Sequence, residues 1–337
     1  MALLASEMAA VVLWVAPLSA LIAALLSWSA LRYGRRRGLI DQPGARRSHV
    51  QPTPRGGGIG IVVVLFAAAL ALAAIDEARR WLFGSFALAL AAVAAIGWWD
   101  DHQPQPILRR LLVQAAASAC FVVALWPGFP LWMQAAAVFA LVCAINFTNF
   151  MDGINGLAAT QAAAVAAVLL WALLGWGDAG WALLAAVLAC ACLGFLPFNL
   201  PRAKIFLGDV GSNALGFSIG AMLLAAWSST ALPFAAVFLL PSAFVLDAGL
   251  TLAQRMLRGR RWYAPHREHL YQWLVRSGAS HVKVTLMYFV WTLAVSALVL
   301  GLPRERLPMA ALMSYIVGAL LWLRWRRRVL LRAREGV

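Results

Sequence analysis

Eleven apolar runs follow one another along this 337-residue chain and leave it few ways to fold. They cover roughly 9–31, 58–75, 81–98, 109–126, 130–147, 157–175, 180–197, 213–228, 231–253, 284–302 and 308–324. A helix crosses a bilayer with about 20 apolar residues, and most of the runs approach that length. A soluble domain is about 45–50% apolar and about 25% charged. Here 63% of residues are hydrophobic and 12% charged, more apolar surface than a water-soluble fold can hide, so lipid solvates most of the chain. Ala and Gly fill many runs and permit close helix approach. Lipid-facing strands with open edges are not tolerated. The reading is an all-α, polytopic integral membrane protein with about eleven transmembrane helices, in one domain spanning 1–337. No basic region precedes the first run and no clear cleavage site follows it, so it is expected to stay as an uncleaved span.

An odd number of spans puts the termini on opposite sides. Of the 28 Lys and Arg residues, 24 then fall on one side, and only Arg79, Arg80, Arg304 and Arg306 on the other. That asymmetry makes the rich side cytoplasmic. The expectation is an inner-membrane protein with a periplasmic N-terminus and a cytoplasmic C-terminus. It also accounts for the net charge of +15 without nucleic acid, because cations beside a membrane meet anionic lipid. Cys120, Cys143, Cys190 and Cys192 all lie inside apolar runs and read as small buried hydrophobes, neither a disulfide framework nor a zinc site.

Five polar segments face the expected cytoplasmic side, within 32–58, 99–109, 147–157, 198–213 and 254–284. The first contains His49 and Pro52-Thr-Pro-Arg55-Gly-Gly-Gly58. Its irregular backbone amides, Arg55 and His49 suit a phosphate, or the segment is only a turn into the second span. The second is Asp100-Asp101-His102. Adjacent carboxylates repel, and a divalent cation held by oxygen ligands would compensate; a solvated helix end is the alternative. The third runs Asn146-Phe-Thr-Asn149-Phe-Met-Asp152-Gly-Ile-Asn155-Gly156. An acid at a membrane edge is costly and therefore a functional candidate, against the simpler reading of a capped helix junction. The fourth joins Asn199, Arg202, Lys204, Phe206 and Asp209. Its cations suit a diphosphate and its ring a base; otherwise it is a loop with a helix starting at Ser212. The fifth is His266-Arg267-Glu268-His269. If helical, its histidines share a face at i, i+3 and would serve as phosphate partners beside Arg267. Two histidines alone do not make a zinc site. Asp247 is a lone acid in the ninth run, read either as the partner of a buried cation or as a group that orders the site.

Together and in this order, the five segments resemble the polyprenyl-phosphate N-acetylhexosamine-1-phosphate transferases, and most of all their O-antigen-initiating branch. The resemblance runs from about Asp41 to His269. It implies that Asp100 and Asp101 are the family's paired acids, Asp152 the first acid of its Asp-Gly-x-Asp-Gly segment and the next candidate for activating the acceptor, and Asp209 a Mg²⁺ ligand, with Asp100 and Asp101 as further metal or acceptor-orienting groups. It places Phe206 and Asn199 near the uridine, with His266 and His269 in the family's histidine motif and His49 in its first loop. Asn149, Asn155, Arg55, Arg202, Lys204 and Arg267 complete the expected substrate contacts. Asn155 departs from the pattern by standing where many relatives carry a second Asp, and a neutral amide cannot do acid–base work.

The implied reaction transfers a sugar 1-phosphate from a UDP-N-acetylhexosamine to undecaprenyl phosphate, with Mg²⁺ as cofactor and Mn²⁺ as a substitute, and UMP as product. Membrane lipid is a further partner, nucleic acid is not, and a homodimer stays open. Two other classes compete. A transporter would place acids at mid-span, where only Asp247 lies. A membrane prenyltransferase would carry two Asp-x-x-x-Asp motifs, and the chain has one adjacent Asp pair.

Overall fold

The computed structural model describes residues 2–42, 51–261, 263–264 and 266–334. His49 lies outside the described residues. The chain is almost wholly helical: α1 (Ala2–Arg37), α2 (Ile59–Ile75), α3 (Arg80–His102), α4 (Ile107–Leu125), α5 (Leu131–Met151), α6 (Leu157–Trp176), α7 (Ala179–Asn199), α8 (Gly208–Ser228), α9 (Phe234–Leu239), α10 (Ser242–Leu257), α11 (Leu270–Arg276), α12 (His281–Gly301) and α13 (Leu307–Arg334). A two-residue antiparallel pair, β1 (Ile40–Asp41) with β2 (Thr53–Pro54), pins the base of the first polar loop.

Nine helices among the described residues are long and apolar enough to cross a membrane. Of the two remaining runs, the second forms α2, a single apolar helix of 17 residues over the stretch read for it. The ninth is not one helix, because it breaks at Leu240-Pro241 into α9, of 6 residues, and α10, of 16. Pro241 lacks an amide hydrogen and its ring obstructs the preceding turn. The eighth run starts earlier than its hydropathy indicates. α8 begins at Gly208, so Gly-Asp-Val-Gly-Ser forms its first turn and not a loop.

Burial ranks the helices. The apolar windows of α8 and α7 are 83% and 72% buried, against 17% for both α5 and α13, so α7 and α8 form the interior and α5 and α13 lie at the periphery. Phe86, Phe121, Trp181 and Phe217 bring α3, α4, α7 and α8 together, with ring centroids 5.4–6.0 Å apart. Such tilted and edge-on pairs suit the aromatic quadrupole. At the end of the bundle away from the polar segments, Arg79 bonds Asp76 at 2.8 Å and Asp178 at 2.7 Å, locking the α2–α3 turn to the start of α7.

Candidate active site

The acidic pair lies on the last turn of α3. Consecutive helical residues point about 100° apart, so the two carboxylates meet different neighbours. Asp100 faces the start of α4, accepting from the Gln105 amide just before that helix at 2.6 Å and from Arg110 Nη1 within it at 2.8 Å. Asp101 turns inward and is 2% exposed. Its Oδ2 accepts the Val210 amide at 3.1 Å, and Arg55 Nε lies 3.9 Å from its Oδ1. Val210 is in the first turn of α8, where helix amides lack intrahelical partners, so Asp101 anchors the start of that helix. Gly208 makes this approach possible. Its φ is +78°, and a Cβ there would lie 2.6 Å from Asp101 Oδ2.

Asp209 is thereby carried to Asp100. Its Oδ1 accepts Asn149 Nδ2 at 2.9 Å, and its Oδ2 lies 3.6 Å from Arg110 Nη1. Arg110 thus spans both carboxylates. Asn149 also donates to Ser212 Oγ at 2.9 Å, tying the end of α5 to α8. Asp152 follows α5 directly. Burial, and then the negative charges of Asp209 and Asp101, push its carboxyl well above the ordinary carboxylate range.

The third and fourth segments interlock. Asn199 is 4% exposed; it accepts the Gly156 amide at 2.5 Å and donates to the Ile205 carbonyl at 2.9 Å. Asn155 donates to the Pro201 carbonyl at 3.0 Å, while its own amide and carbonyl meet His281 Nδ1 at 3.3 Å and Thr285 Oγ1 at 2.9 Å. The backbone of Phe206 donates to Pro54, and its carbonyl accepts from Gly57, joining the first and fourth segments. Arg202 and Lys204 stand exposed beside this junction, with Lys204 Nζ 6.0 Å from the Phe198 ring centre.

The histidine segment is not helical as its spacing allowed. Residues 266–268 precede α11, and His269 immediately flanks its first turn. The two rings still meet, with centroids 4.8 Å apart. His269 is 2% exposed and stacks on Phe150 and Tyr271. Burial, with the positive charges of His269 and Arg255 adding to it, lowers His266 to about 4. Glu268 is held by Arg255 and Arg260, and Arg267 is half-buried between the two histidines in sequence.

Arg55, Asp100, Asp101, Asn149, Asp152 and Asp209 therefore share one neighbourhood. Asn155, Asn199 and Phe206 form its adjoining wall, and His266, Arg267 and His269 reach it through Tyr271, whose hydroxyl donates to the Phe150 carbonyl at 2.8 Å. Sequence reasoning missed Arg110, which it counted only as a marker of topology. One signal was present: a cation in the first turn of a helix opposes the helix dipole, and α4 places Arg109 and Arg110 there. Ser212, His281 and Thr285 carried no such signal.

Among the described residues, no set of three His, Cys, Asp or Glu side chains is arranged to hold a metal alone. Asp100 and Asp209, both drawn to Arg110, are two carboxylates that could hold a Mg²⁺ ion, with substrate phosphates completing its shell.

An apolar groove of about 620 Å³ leads away from this neighbourhood. It starts at Phe147 and Thr148, just before Asn149, and runs between α5, α8 and the α9–α10 break to Trp126 and Trp132 at the far end of the bundle.

Comparison with known proteins matches residues 83–227 to glycosyl transferase family 4. The chain is 31% identical over 316 residues to the decaprenyl-phosphate N-acetylglucosaminephosphotransferase of Mycolicibacterium smegmatis, covering 80% of this chain and 78% of that one. It is 28% identical over 282 residues to a probable undecaprenyl-phosphate N-acetylglucosaminyl 1-phosphate transferase of Bacillus subtilis, covering 78% and 77%. It is 30% identical over 317 residues to the phospho-N-acetylmuramoyl-pentapeptide-transferase of Deinococcus radiodurans, covering 82% and 96%.

Proposed function

The chain belongs to glycosyl transferase family 4, among the polyprenyl-phosphate sugar-1-phosphate transferases, and we propose that it moves an N-acetylhexosamine 1-phosphate from a UDP-sugar to undecaprenyl phosphate. The observation that carries this reading is the convergence of Asp100 and Asp209 on Arg110, at the end of the bundle where the apolar groove begins. One reactant is an anionic nucleotide from water and the other an anionic headgroup on a lipid chain. Their meeting place must be polar, cationic in part, and open to the bilayer.

In this reading the groove takes part of the polyprenyl chain, and its phosphate reaches the Asn149–Asp152 end of α5. A phosphate's second pKa is about 6, so the acceptor is already a competent nucleophile near neutrality. Its oxygen attacks the β-phosphorus of the UDP-sugar, the bond from that phosphorus to the bridging oxygen breaks, and UMP leaves. The sugar–oxygen bond stays intact, so anomeric configuration is retained. Mg²⁺, when bound at Asp209 and Asp100, supplies neutralisation of the diphosphate charge. Arg110 and Arg55 hold the remaining negative charge, Asp101 keeps the start of α8 and therefore Asp209 in place, and His266, Arg267 and His269 hold substrate phosphate. Arg202, Lys204 and Phe206 face the nucleotide, and His49 belongs to the same reading through the first loop. Positioning and electrostatics dominate, because little covalent chemistry falls to the protein.

The finer placement belongs to the same proposal: the bacterial inner membrane, a site facing the cytoplasm, and the start of a cell-surface polysaccharide such as O-antigen. N-acetylglucosamine is the first sugar to test, since relatives carry it in their names. Purified protein is incubated with undecaprenyl phosphate, Mg²⁺ and a panel of UDP-sugars, following UMP and lipid-linked product. Asp209→Asn should lose at least about 100-fold in transfer while inserting normally. Wild-type protein that releases no UMP with any sugar sinks the reading, and a fully active Asp209→Asn sinks the metal assignment.

A further inference from the structure

Asp247 lies in the middle of α10 and is 2% exposed. The sequence left it either as partner of a buried cation or as an ordering group. Its hydrogen bonds favour the ordering role, because among the described residues every donor to it is neutral. Oδ1 accepts the Leu270 amide at 2.7 Å, Trp322 Nε1 at 3.0 Å and Thr251 Oγ1 at 3.4 Å. Oδ2 accepts the Tyr288 hydroxyl at 2.6 Å and the Tyr271 amide at 3.2 Å. Those donors come from α10, α11, α12 and α13. An unpaired carboxylate is expensive to bury, and charge-assisted hydrogen bonds offset that cost. This one accepts on both oxygens and is closed to solvent.

The two amides matter most. They are the first two of α11, a helix of 7 residues. A helix so short is marginal without tertiary support, and its opening amides have no partner within the helix. His269 directly precedes them. Tyr271 then carries the restraint onward, since its hydroxyl donates to the Phe150 carbonyl at 2.8 Å. The turn after Asp152 closes over that hydroxyl so tightly that a Cβ on Gly153 would lie 2.1 Å from it. The His269 ring packs against both Phe150 and Tyr271, with centroids 6.0 and 5.9 Å away.

We propose that Asp247 is a positioning residue that holds the histidine segment 266–269 and the Asp152 turn in one register, through the opening amides of α11 and through Tyr271. The proposal rests on the transferase reading above, in which both segments meet substrate. Asp247 touches no reactant. It sets where His266, Arg267 and His269 stand relative to Asp152.

The test uses full-length protein in detergent, with kcat and KM for the UDP-sugar and amide hydrogen exchange along the chain. Asp247→Asn keeps one acceptor oxygen and turns a donor toward donors. It should lower kcat/KM about 100-fold, as small displacements of reacting groups do, with KM for the UDP-sugar rising. Exchange should quicken across 266–276 while α3 and α8 stay protected. Asp247→Glu, which keeps both oxygens, should recover part of each loss. Asp247→Asn that quickens exchange equally in 266–276, α3 and α8, or that lowers only kcat with KM and the exchange of 266–276 unchanged, overturns the proposal. If that variant does not fold, Tyr271→Phe removes only the bond to Phe150. A raised KM with α11 still protected supports the coupling, and an unchanged KM overturns it. Wild-type protein inactive on every UDP-sugar would instead refute the transferase reading, and the exchange pattern would still decide whether Asp247 anchors the segment.

Discussion

Arg110 neutralises two carboxylates that would otherwise repel each other, and replacing it with Gln exposes what those carboxylates are for. Its Nη1 lies 2.8 Å from Asp100 and 3.6 Å from Asp209, and the three side chains are 20%, 13% and 28% exposed. Exposed ion pairs contribute about 0–1 kcal/mol, and breaking a buried one costs about 3–5 kcal/mol. This partly buried triad falls between, so Arg110→Gln should destabilise the metal-free protein by roughly 2 kcal/mol. The vacated pair should then bind a divalent cation more tightly, since the ion no longer competes with a guanidinium. A ligand at about 100 times its Kd stabilises by about 2.7 kcal/mol, enough to recover the deficit. The assay is thermal unfolding in detergent with and without Mg²⁺, for wild type and variant. The variant should start lower and gain more from the ion. An equal or smaller Mg²⁺-induced shift in Arg110→Gln would refute the assignment of Asp100 and Asp209 as the metal-binding pair.

Two more outcomes follow from the same geometry. Asn155→Asp gives up the bond to the Pro201 carbonyl and turns a carboxylate toward it, so stability should fall by about 0.5–1.5 kcal/mol while transfer stays within about tenfold of wild type; a large gain in rate would show that position 155 does acid–base work. His266 is neutral in the folded protein down to about 4, below its ordinary 6.5. The unfolded chain binds the extra proton first, so this contribution to stability is full above about 6.5 and is lost as pH falls toward about 4. Unfolding temperature measured across that window should drop less in His266→Gln than in wild type.

The bilayer acts on each segment separately, and that is why so much could be read in advance. A run of about 20 apolar residues is forced into a helix whatever its neighbours do, so the all-α, membrane-spanning architecture and most helix positions were legible from local composition. The five polar segments were legible for the same reason, since polar residues are expelled to the ends of such runs. Where local rules weakened, the reading slipped: at Pro241, which splits the ninth run, and at Gly208, where α8 begins four residues before the expected Ser212 start.

The arrangement within the site was a different matter. Asp100 and Asp101 are alike in sequence, yet one faces Arg110 and the other anchors α8. Arg110 looked like any juxtamembrane cation, and Asp247 like an isolated acid. Each role depends on the rotation and depth of one helix against another, which side-chain packing sets across more than a hundred residues of chain and which no local pattern encodes. Composition and periodicity by themselves determined that this chain lives in lipid with its reactive groups at helix ends. Only the tertiary structure decided which of those groups meet, because hydrogen bonds act over about 3 Å and only packing brings distant helices that close.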